Sequence, residues 1–207
     1  MKLYWKFKPN RKKTMHEKIV LASSSPFRRQ LLSRFNIPFD VVNPDIDETP
    51  RLNETVKEIS IRLAREKASH VAPHYSNSLI IASDTTAECE GQIIEKPMIH
   101  SQAVSQLKLL SGNLVKFYTS LCVINTKTQA SQECVVDFEV KYRVLSEKRI
   151  ESYLLKEKPY NCVGSLKSEG LGITLLDYVR GEDPTALIGL PLIKLSDMLQ
   201  KEGVPFE

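Results

Sequence analysis

The chain has 207 residues, of which 42% are hydrophobic and 26% are charged, and its formal net charge is +4. This length and composition are typical of one globular domain with a substantial core. No apolar run approaches the roughly 18 residues that a bilayer-spanning helix needs, and no segment has the pattern of a secretory signal. We therefore expect a cytoplasmic protein that does not enter a membrane.

The positive charge is concentrated at the start of the chain. Residues 1–18 contain seven lysines and arginines against one glutamate, a local charge of +6, so the remainder carries −2. A protein that binds a nucleic-acid polymer is expected to have a basic folded surface, so we predict no such partner. We interpret residues 1–17 as a basic extension, which is either a flexible arm or the product of a start upstream of Met15. Residues 18–207 are predicted to form a single domain.

The first half of the chain alternates short apolar runs with helical patterns. In chain order it is predicted to contain a buried strand at 19–22, a helix beginning at Ser25 and Pro26, a strand at 39–42, a polar loop at 43–50, an amphipathic helix over 54–70 and a buried strand at 79–82. Serine at the cap followed by proline is a helix-start signal. The second helix is indicated by apolar residues at helical spacing.

The second half continues the mixture of strands and helices. It is predicted to contain a short strand at 93–94, a helix over 101–110, two longer strands at 114–125 and 133–144 joined by a polar hairpin connection, a helix over 146–156, a glycine-rich loop at 164–172 and a closing helix at 192–201. Because strands and helices are mixed and no segment repeats, the sequence predicts an α/β or α+β domain built on a mixed sheet.

Two common kinds of site are missing from the sequence. None of the four histidines follows a buried strand beside a plausible nucleophile, which argues against serine–histidine catalysis. The chain also has no Gly-x-Gly-x-x-Gly and no Walker loop, so an ordinary dinucleotide site or P-loop is not expected.

Several cationic and hydroxyl side chains lie at the ends of predicted elements. Helix-start amides, hydroxyls and guanidinium groups can all bind phosphate oxygens. The candidates are Ser23, Arg28 and Arg29 around the first helix start, Lys67 on the helix over 54–70, and Lys96. The alternative for the first group is a capped helix with two solvated arginines.

Two carboxylates complete the candidate site. Asp84 lies at the end of a predicted buried strand, where a charge is costly unless it is paired or binds a cation. Glu48 lies in the acidic loop, whose alternative interpretation is a solvated turn. Anion-binding groups combined with hard oxygen ligands suggest a metal-bound phosphate substrate.

Nine segments, in order along the chain, carry a resemblance to a known family. They are LASSSPFRRQLL at 21–32, DETP at 47–50, AREKA at 64–68, SDT at 83–85, KP at 96–97, SG at 111–112, YT at 118–119, GSLKSEGLG at 164–172 and IGLPL at 188–192. Together they resemble the Maf family of nucleotide pyrophosphatases and cover everything except the N-terminal extension.

The resemblance implies an elongated α/β fold with a mixed sheet, flanking helices and a central cleft, similar to the inosine-triphosphate pyrophosphatases. It also implies a catalytic domain that hydrolyses a nucleoside triphosphate to the monophosphate and pyrophosphate with a divalent cation (Mg, Mn or Co). A homodimer is the corresponding expectation for the assembly.

Site roles follow from the same resemblance. Asp84 is expected either to accept the proton of the attacking water or to hold the metal ion that acidifies this water. Glu48 is expected to be a further metal or water ligand. The predicted phosphate ligands are Ser23, Arg28, Arg29, Lys67 and Lys96.

Three positions distinguish the branches of the family by base. Phe27 and Glu169 resemble the branch that hydrolyses 7-methyl-GTP, whereas Thr85 is more typical of the branch that hydrolyses dTTP and UTP. A methylated guanine is cationic and would be attracted to an aromatic face by roughly 0.5–2 kcal/mol, and a carboxylate can accept hydrogen bonds from its N1–H and amino groups. Phe27 as a core residue and Glu169 as a solvated loop residue are the alternatives.

The sequence therefore favours a 7-methyl-GTP pyrophosphatase that clears modified nucleotides. A dTTP/UTP pyrophosphatase is the alternative within the family. A non-catalytic regulator of septum formation is the alternative from another class, and the complete set of charged positions argues against it.

Overall fold

A mixed sheet of seven strands, with five α-helices packed on it, forms residues 18–206, the part of the chain that the computed structural model describes. The predicted basic extension at 1–17 lies outside the described residues. The strands are β1 (Lys18–Ala22), β2 (Asp40–Val42), β3 (Ser78–Cys89), β4 (Gln92–Ile94), β5 (Leu114–Asn125), β6 (Ala130–Tyr142) and β7 (Leu176–Gly181). The helices are α1 (Pro26–Ser33), α2 (Val56–Val71), α3 (His100–Leu110), α4 (Glu147–Glu157) and α5 (Leu192–Lys201). The predicted fold class, a mixed sheet flanked by helices, is confirmed.

The sheet has the strand order β2-β1-β3-β5-β6-β7, with β4 paired to β3. Strand β1 runs parallel to both β2 and β3, and all the other pairs are antiparallel. Between residues 18 and 206, no helix is both long and apolar enough to cross a membrane.

One edge of β3 is interrupted. Strand β5 pairs with β3 along residues 79–89 on one edge. On the other edge, β1 pairs only with residues 78–81 and β4 only with residues 87–89. Within the described chain, residues 82–86 therefore have no strand partner on that edge. We call this interruption the edge gap.

The core consists of three hydrophobic clusters on the two faces of the sheet. Helix α2 packs on one face, against residues such as Ile80 and Ala82. Helices α1 and α5 pack on the other face, against Leu79 and Ile81. The third cluster lies around α3 and α4. Because side chains alternate along a strand, β3 contributes to both faces.

The predicted helix starts are confirmed by their caps. The hydroxyl of Ser25 accepts the N–H of Arg28, and Pro26 occupies the first turn of α1. Thr55 and Glu58 form a reciprocal capping box at α2, and Ser146 caps α4. Such caps satisfy amides that have no intrahelical partner.

One strand prediction was wrong in its extent, and one strand was not predicted. Residues 79–82 were predicted as a complete strand, but β3 continues to Cys89 because β5 offers ladder partners along its whole length. Asp84 therefore lies inside a strand, not at its end. Strand β7 was missed because five of its six residues are exposed, so its sequence has no alternating apolar pattern.

Candidate active site

A buried ion pair lies at the edge gap. The Nζ of Lys67 is 2.6 Å from Oδ1 of Asp84 and 2.8 Å from Oε1 of Glu48. Lys67 and Asp84 are each 5% exposed, whereas about half of the Glu48 side chain is exposed. One ammonium thus holds two carboxylates that are distant in sequence, and one of them is open to solvent.

Helix α2 brings Lys67 to this position. Its neighbours on the buried face, Ala64, Ala68 and Val71, pack against the sheet. The small alanines allow the helix to lie close to β3, and the aliphatic stem of Lys67 is buried with them while its ammonium reaches Asp84. Burial of a charge is tolerated here because the charge is paired and hydrogen-bonded.

Glu48 is carried by a loop that is anchored to α2. The nearly buried guanidinium of Arg62 donates to the carbonyl of Thr49 at 3.1 Å and to carboxylate oxygens of Glu54 at 2.8 Å and Glu66 at 3.0 Å. The hydrogen bonds from Arg62 lower the pKa of Glu54 to about 2. The acidic loop is therefore ordered, not only a solvated turn.

The pKa of Glu48 is affected by two further cations besides Lys67. Burial opposes its ionisation, but the hydrogen bond and charge of Lys67, followed by the charges of Lys96 and Arg28, lower its pKa. Lys96 and Arg28 therefore act on the same gap as Lys67, although Lys96 itself is exposed. The charges of three predicted phosphate ligands, Lys67, Lys96 and Arg28, thus act on the carboxylate of Glu48, and Lys67 is the one in contact with it among the described residues.

Arg28 approaches the gap from the opposite face of the sheet. Its Nε donates to the carbonyl of Gly189 at 2.8 Å, and one Nη donates to Oγ1 of Thr85 at 3.4 Å. Burial lowers the pKa of Arg28, while the charges of Asp84 and Glu48 oppose this change. The charges of Asp84 and Glu48 therefore act on Arg28, although among the described residues neither forms an ion pair with it.

Two hydroxyl groups, those of Thr85 and Thr119, connect Arg28 by hydrogen bonds to the backbone at Ala186. Thr119 donates to the carbonyl of Ala186 at 2.9 Å and lies 3.2 Å from Thr85. Because the single proton of Thr119 points at Ala186, Thr85 donates to Thr119 and keeps its acceptor position for Arg28. Sequence analysis missed this role of Thr119.

The carbonyl of Gly189 was also missed. It accepts from Arg28 and lies 2.9 Å from the hydroxyl of Ser83, which is fully buried and 2.7 Å from the carbonyl of Ser120. The only signal in the sequence was the Gly-Leu-Pro turn at 189–191, within a segment that carried the family resemblance.

The remaining predicted phosphate ligands differ in their placement. Ser23 follows the last residue of β1, beside the edge gap, and its buried hydroxyl accepts the N–H of Ser25 at 3.1 Å. Arg29 is exposed and lines a separate hollow of about 610 Å³ between α1 and β2, with Phe39 and Asp40. Within residues 18–206, the structure gives Arg29 no ion pair.

The three predicted specificity residues lie in different surroundings. Phe27 is partly exposed and belongs to none of the three core clusters. Glu169 is exposed on the glycine-rich loop. Burial, with a smaller contribution from the charge of Glu169, raises the pKa of the Cys162 thiol to about 11, although the charges of Lys167 and Lys96 oppose this change. The N–H of Gly164, at the start of the glycine-rich loop that carries Glu169, donates to the carbonyl of Glu95, the residue before Lys96, at 3.4 Å, whereas Thr85 contacts Arg28.

The donor groups fit a hard divalent cation. No cluster of three or more potential metal ligands occurs among the described residues, but Asp84 and Glu48 lie within hydrogen-bond distance of the same ammonium. Magnesium is commonly bound by one or two carboxylates, with substrate phosphates and water completing its coordination. Two carboxylates near several cations that the sequence predicts to bind phosphate match this pattern.

Comparison with known proteins agrees with the resemblance seen in the motifs. A 7-methyl-GTP pyrophosphatase of Methylobacillus flagellatus is 52% identical over 186 residues, which cover 90% of this chain and 97% of that protein. A protein of the same name from Nitrosospira multiformis is 50% identical, covering 91% of this chain and 95% of its own.

Similarity among solved structures is more distant. The Ham1 protein of Staphylococcus aureus matches 61% of this chain and 72% of its own, with a TM-score of 0.44 and 16% identity. The family described as "Maf-like protein" matches residues 18–202. The family resemblance is thereby confirmed, and the chain belongs to the Maf-like protein family.

Proposed function

We propose that this protein is a nucleoside-triphosphate pyrophosphatase that hydrolyses 7-methyl-GTP to 7-methyl-GMP and diphosphate. The observation that carries the proposal is the convergence of Lys67, Asp84 and Glu48 at the edge gap, with the charges of Arg28 and Lys96 acting on the same carboxylate. The relatives that share about half of its sequence bear that name.

The arrangement suits cleavage of a phosphoanhydride. Three cations and two carboxylates leave one net positive charge around the gap, so a triphosphate would be attracted and its developing charge stabilised. Such catalysis depends mainly on positioning and electrostatics. Ser23 extends the same site from the end of β1.

Asp84 has the position expected of the group that handles the proton of the attacking water. Its Oδ1 is held by Lys67, and the strand backbone fixes its direction. A carboxylate fixed in this way can orient a water molecule and accept its proton as the bond to the phosphorus forms.

A divalent cation (Mg, Mn or Co) belongs to the proposal. Asp84 and Glu48 would hold it, and when bound it would neutralise phosphate charge and acidify water. Glu48 suits this role because about half of its side chain is exposed and its lowered pKa keeps it ionised at neutral pH.

The base preference rests on Phe27 and Glu169. Phe27 is partly exposed and lies next to Arg28 in the chain, so we expect its ring to be available to a cationic base. Glu169 is exposed on the glycine-rich loop, and Gly164 of this loop is hydrogen-bonded to the carbonyl of Glu95, the residue before Lys96. Thr85, the residue that favours dTTP or UTP, is hydrogen-bonded to Arg28, which suggests that it serves the phosphate side. The pyrophosphatase for dTTP and UTP is therefore the second candidate.

The assay is pyrophosphate release by the full chain from 7-methyl-GTP, GTP, dTTP and UTP, with Mg²⁺, Mn²⁺ or Co²⁺ in turn. We expect the highest kcat/KM for 7-methyl-GTP and loss of activity after EDTA. Preference for dTTP or UTP would support the second candidate, and absence of hydrolysis of all four would contradict the enzymatic function.

A variant separates the base from the phosphates. Phe27→Leu should lower kcat/KM for 7-methyl-GTP by roughly twofold to thirtyfold, the equivalent of a cation–π contact, and leave GTP nearly unaffected. Equal losses for both nucleotides would show that Phe27 does not recognise the methylated base.

We also expect the enzyme to be cytoplasmic and homodimeric and to clear modified nucleotides.

A further inference from the structure

The segment between β7 and the first turn of α5, residues 183–193, is organised by one buried carboxylate. We call this segment the C-terminal bracket. Asp183 is fully buried. Its Oδ1 accepts from the backbone N–H of Thr185 at 3.1 Å and from the Thr185 hydroxyl at 2.6 Å, and its Oδ2 accepts the N–H of Ile193 at 2.7 Å.

Thr185 closes the bracket. Its hydroxyl accepts the N–H of Leu192 at 2.8 Å, and its carbonyl accepts the N–H groups of Ile188 at 3.1 Å and Gly189 at 3.2 Å. The amides of residues 192 and 193 belong to the first turn of α5, where no intrahelical acceptor exists. Asp183 and Thr185 therefore cap this helix and fix the loop before it with the same set of hydrogen bonds.

The bracket presents two carbonyls to the sheet. That of Gly189 accepts from Arg28, and that of Ala186 accepts from Thr119, which in turn orients Thr85 toward Arg28. Gly189 has a φ of +124°, and a Cβ at this position would lie 3.4 Å from Nε of Arg28. The guanidinium is thus held at two of its nitrogens, both by way of the bracket.

These acceptors are neutral, which matters for the charge of Arg28. Within residues 18–206 the structure shows no ion pair to Arg28, although Asp84 and Glu48 influence it across the gap. A cation that is oriented by carbonyl and hydroxyl groups keeps its full charge for an anionic ligand. Orientation before binding also reduces the entropy lost when the ligand arrives.

We infer that the C-terminal bracket orients Arg28 for the phosphates of the substrate, with Asp183 and Thr185 as positioning residues. This inference rests on the proposed role of Arg28 as a phosphate ligand. It does not depend on which base the enzyme prefers, because the bracket acts only on the phosphate-binding side.

The test uses inorganic tripolyphosphate with magnesium chloride as a probe that has no base, and isothermal titration calorimetry on the full chain. Thr185→Val removes the hydroxyl and keeps the shape of the side chain. We expect it to weaken binding roughly threefold to tenfold, and Arg28→Ala to weaken binding roughly tenfold to a hundredfold.

A double-mutant cycle distinguishes positioning from general destabilisation. If Thr185 acts through Arg28, Thr185→Val should have no further effect on the dissociation constant in the Arg28→Ala background. An equal loss in both backgrounds would overturn the inference. Thr185→Ser, which keeps the hydroxyl, should bind the probe as the wild type does.

Thr126→Val is the matched control. Thr126 is also partly buried, and its hydroxyl likewise accepts from a backbone N–H (Ser78, 2.9 Å) and donates to an oxygen (Ser78 carbonyl, 3.2 Å). Thr126→Val should lower the melting temperature about as much as Thr185→Val does, without changing the dissociation constant of the probe. If this control weakens binding as much as Thr185→Val, or if the wild type does not bind the probe, the inference is overturned. Probe binding without hydrolysis of any nucleotide would instead contradict the proposed function alone.

Discussion

The two faces of β3 at the edge gap hold their charged groups in different ways. Asp84 and Thr85 are neighbours in sequence but point to opposite faces, because side chains alternate along a strand. On the α2 face, Asp84 is held by an ion pair with Lys67, which also binds Glu48. On the other face, Arg28 is held by the hydroxyl of Thr85 and the carbonyl of Gly189.

This difference suits the two tasks that we propose for the site. Carboxylates that are to bind a cation can be placed in or beside a buried region when an ammonium pairs with them, because the pairing offsets part of the cost of burying charge. An arginine that is to bind phosphate must be oriented without being neutralised, and neutral acceptors achieve this. The α2 face is therefore expected to govern the chemical step, and the opposite face the binding of the phosphates.

The largest effect is expected on the α2 face. Asp84→Asn keeps the shape of the side chain but removes the charge and the proton acceptor, so kcat should fall roughly 10²- to 10⁴-fold. Steady-state pyrophosphate release measures this, with circular dichroism to check that the variant is folded. Asp137→Asn, at an exposed ion pair with Lys57, is the control and should retain activity. A folded Asp84→Asn protein with nearly normal kcat would remove Asp84 from the chemistry.

A smaller effect, and one on binding, is expected on the opposite face. Gly189→Ala introduces a Cβ close to Nε of Arg28 at a φ that L-residues rarely adopt. KM for the nucleotide should rise roughly tenfold, the equivalent of about 1.4 kcal/mol, with a smaller change in kcat.

The control for this variant is Gly91→Ala, where φ is also positive but nothing lies within 4 Å of the new Cβ. It should lose stability without a change in KM. A fall in kcat without a rise in KM for Gly189→Ala would mean that phosphate binding and the chemical step are not separated between the two faces of β3.

Thr85→Val should act in the same direction, but more weakly. It breaks the hydroxyl chain from Arg28 to Thr119 and leaves the Gly189 carbonyl in place. We expect KM to rise roughly twofold to fourfold for 7-methyl-GTP and for dTTP alike, since one neutral hydrogen bond is worth about 1 kcal/mol or less. A change in the ratio of the two substrates would instead assign Thr85 to base recognition.

The smallest effect concerns the loop that carries Glu48, and it depends on pH. The hydrogen bonds from Arg62 lower the pKa of Glu54 from 4.5 to about 2. A carboxylate with a lowered pKa in the folded state stabilises the protein above pH 4.5, and this stabilisation is lost as the pH falls from about 4.5 to about 2.

Glu54→Gln should therefore reduce the free energy of unfolding at pH 6 and flatten its decrease between pH 4.5 and pH 2. Urea unfolding at a series of pH values measures both. Glu147→Gln, at an exposed ion pair with Lys108, is the control. An unchanged slope in the Glu54 variant would mean that this ion pair does not anchor the loop.

Local features of the fold were predictable from the sequence. The starts of α1 and α4 were visible because capping depends on residues within four positions of one another, and α2 was visible from the helical spacing of its apolar residues. The apolar stretches of β1, β3 and β5 were visible because burial on both faces selects continuous apolar runs. Strand β7 was not visible, since an exposed edge strand has no such requirement.

The sequence alone determined which residues carry charge near the site and, through its motifs, the family to which the chain belongs. Only the tertiary structure decided that Lys67 pairs with both Glu48 and Asp84, that Arg29 lies on another hollow, and that Thr85 contacts Arg28. The physical reason is that these contacts join segments distant in sequence, as with Arg28 and Gly189, which are 161 positions apart. Periodicity and capping record short-range geometry, whereas these contacts follow from the strand order and from the place where β1 ends and β4 begins.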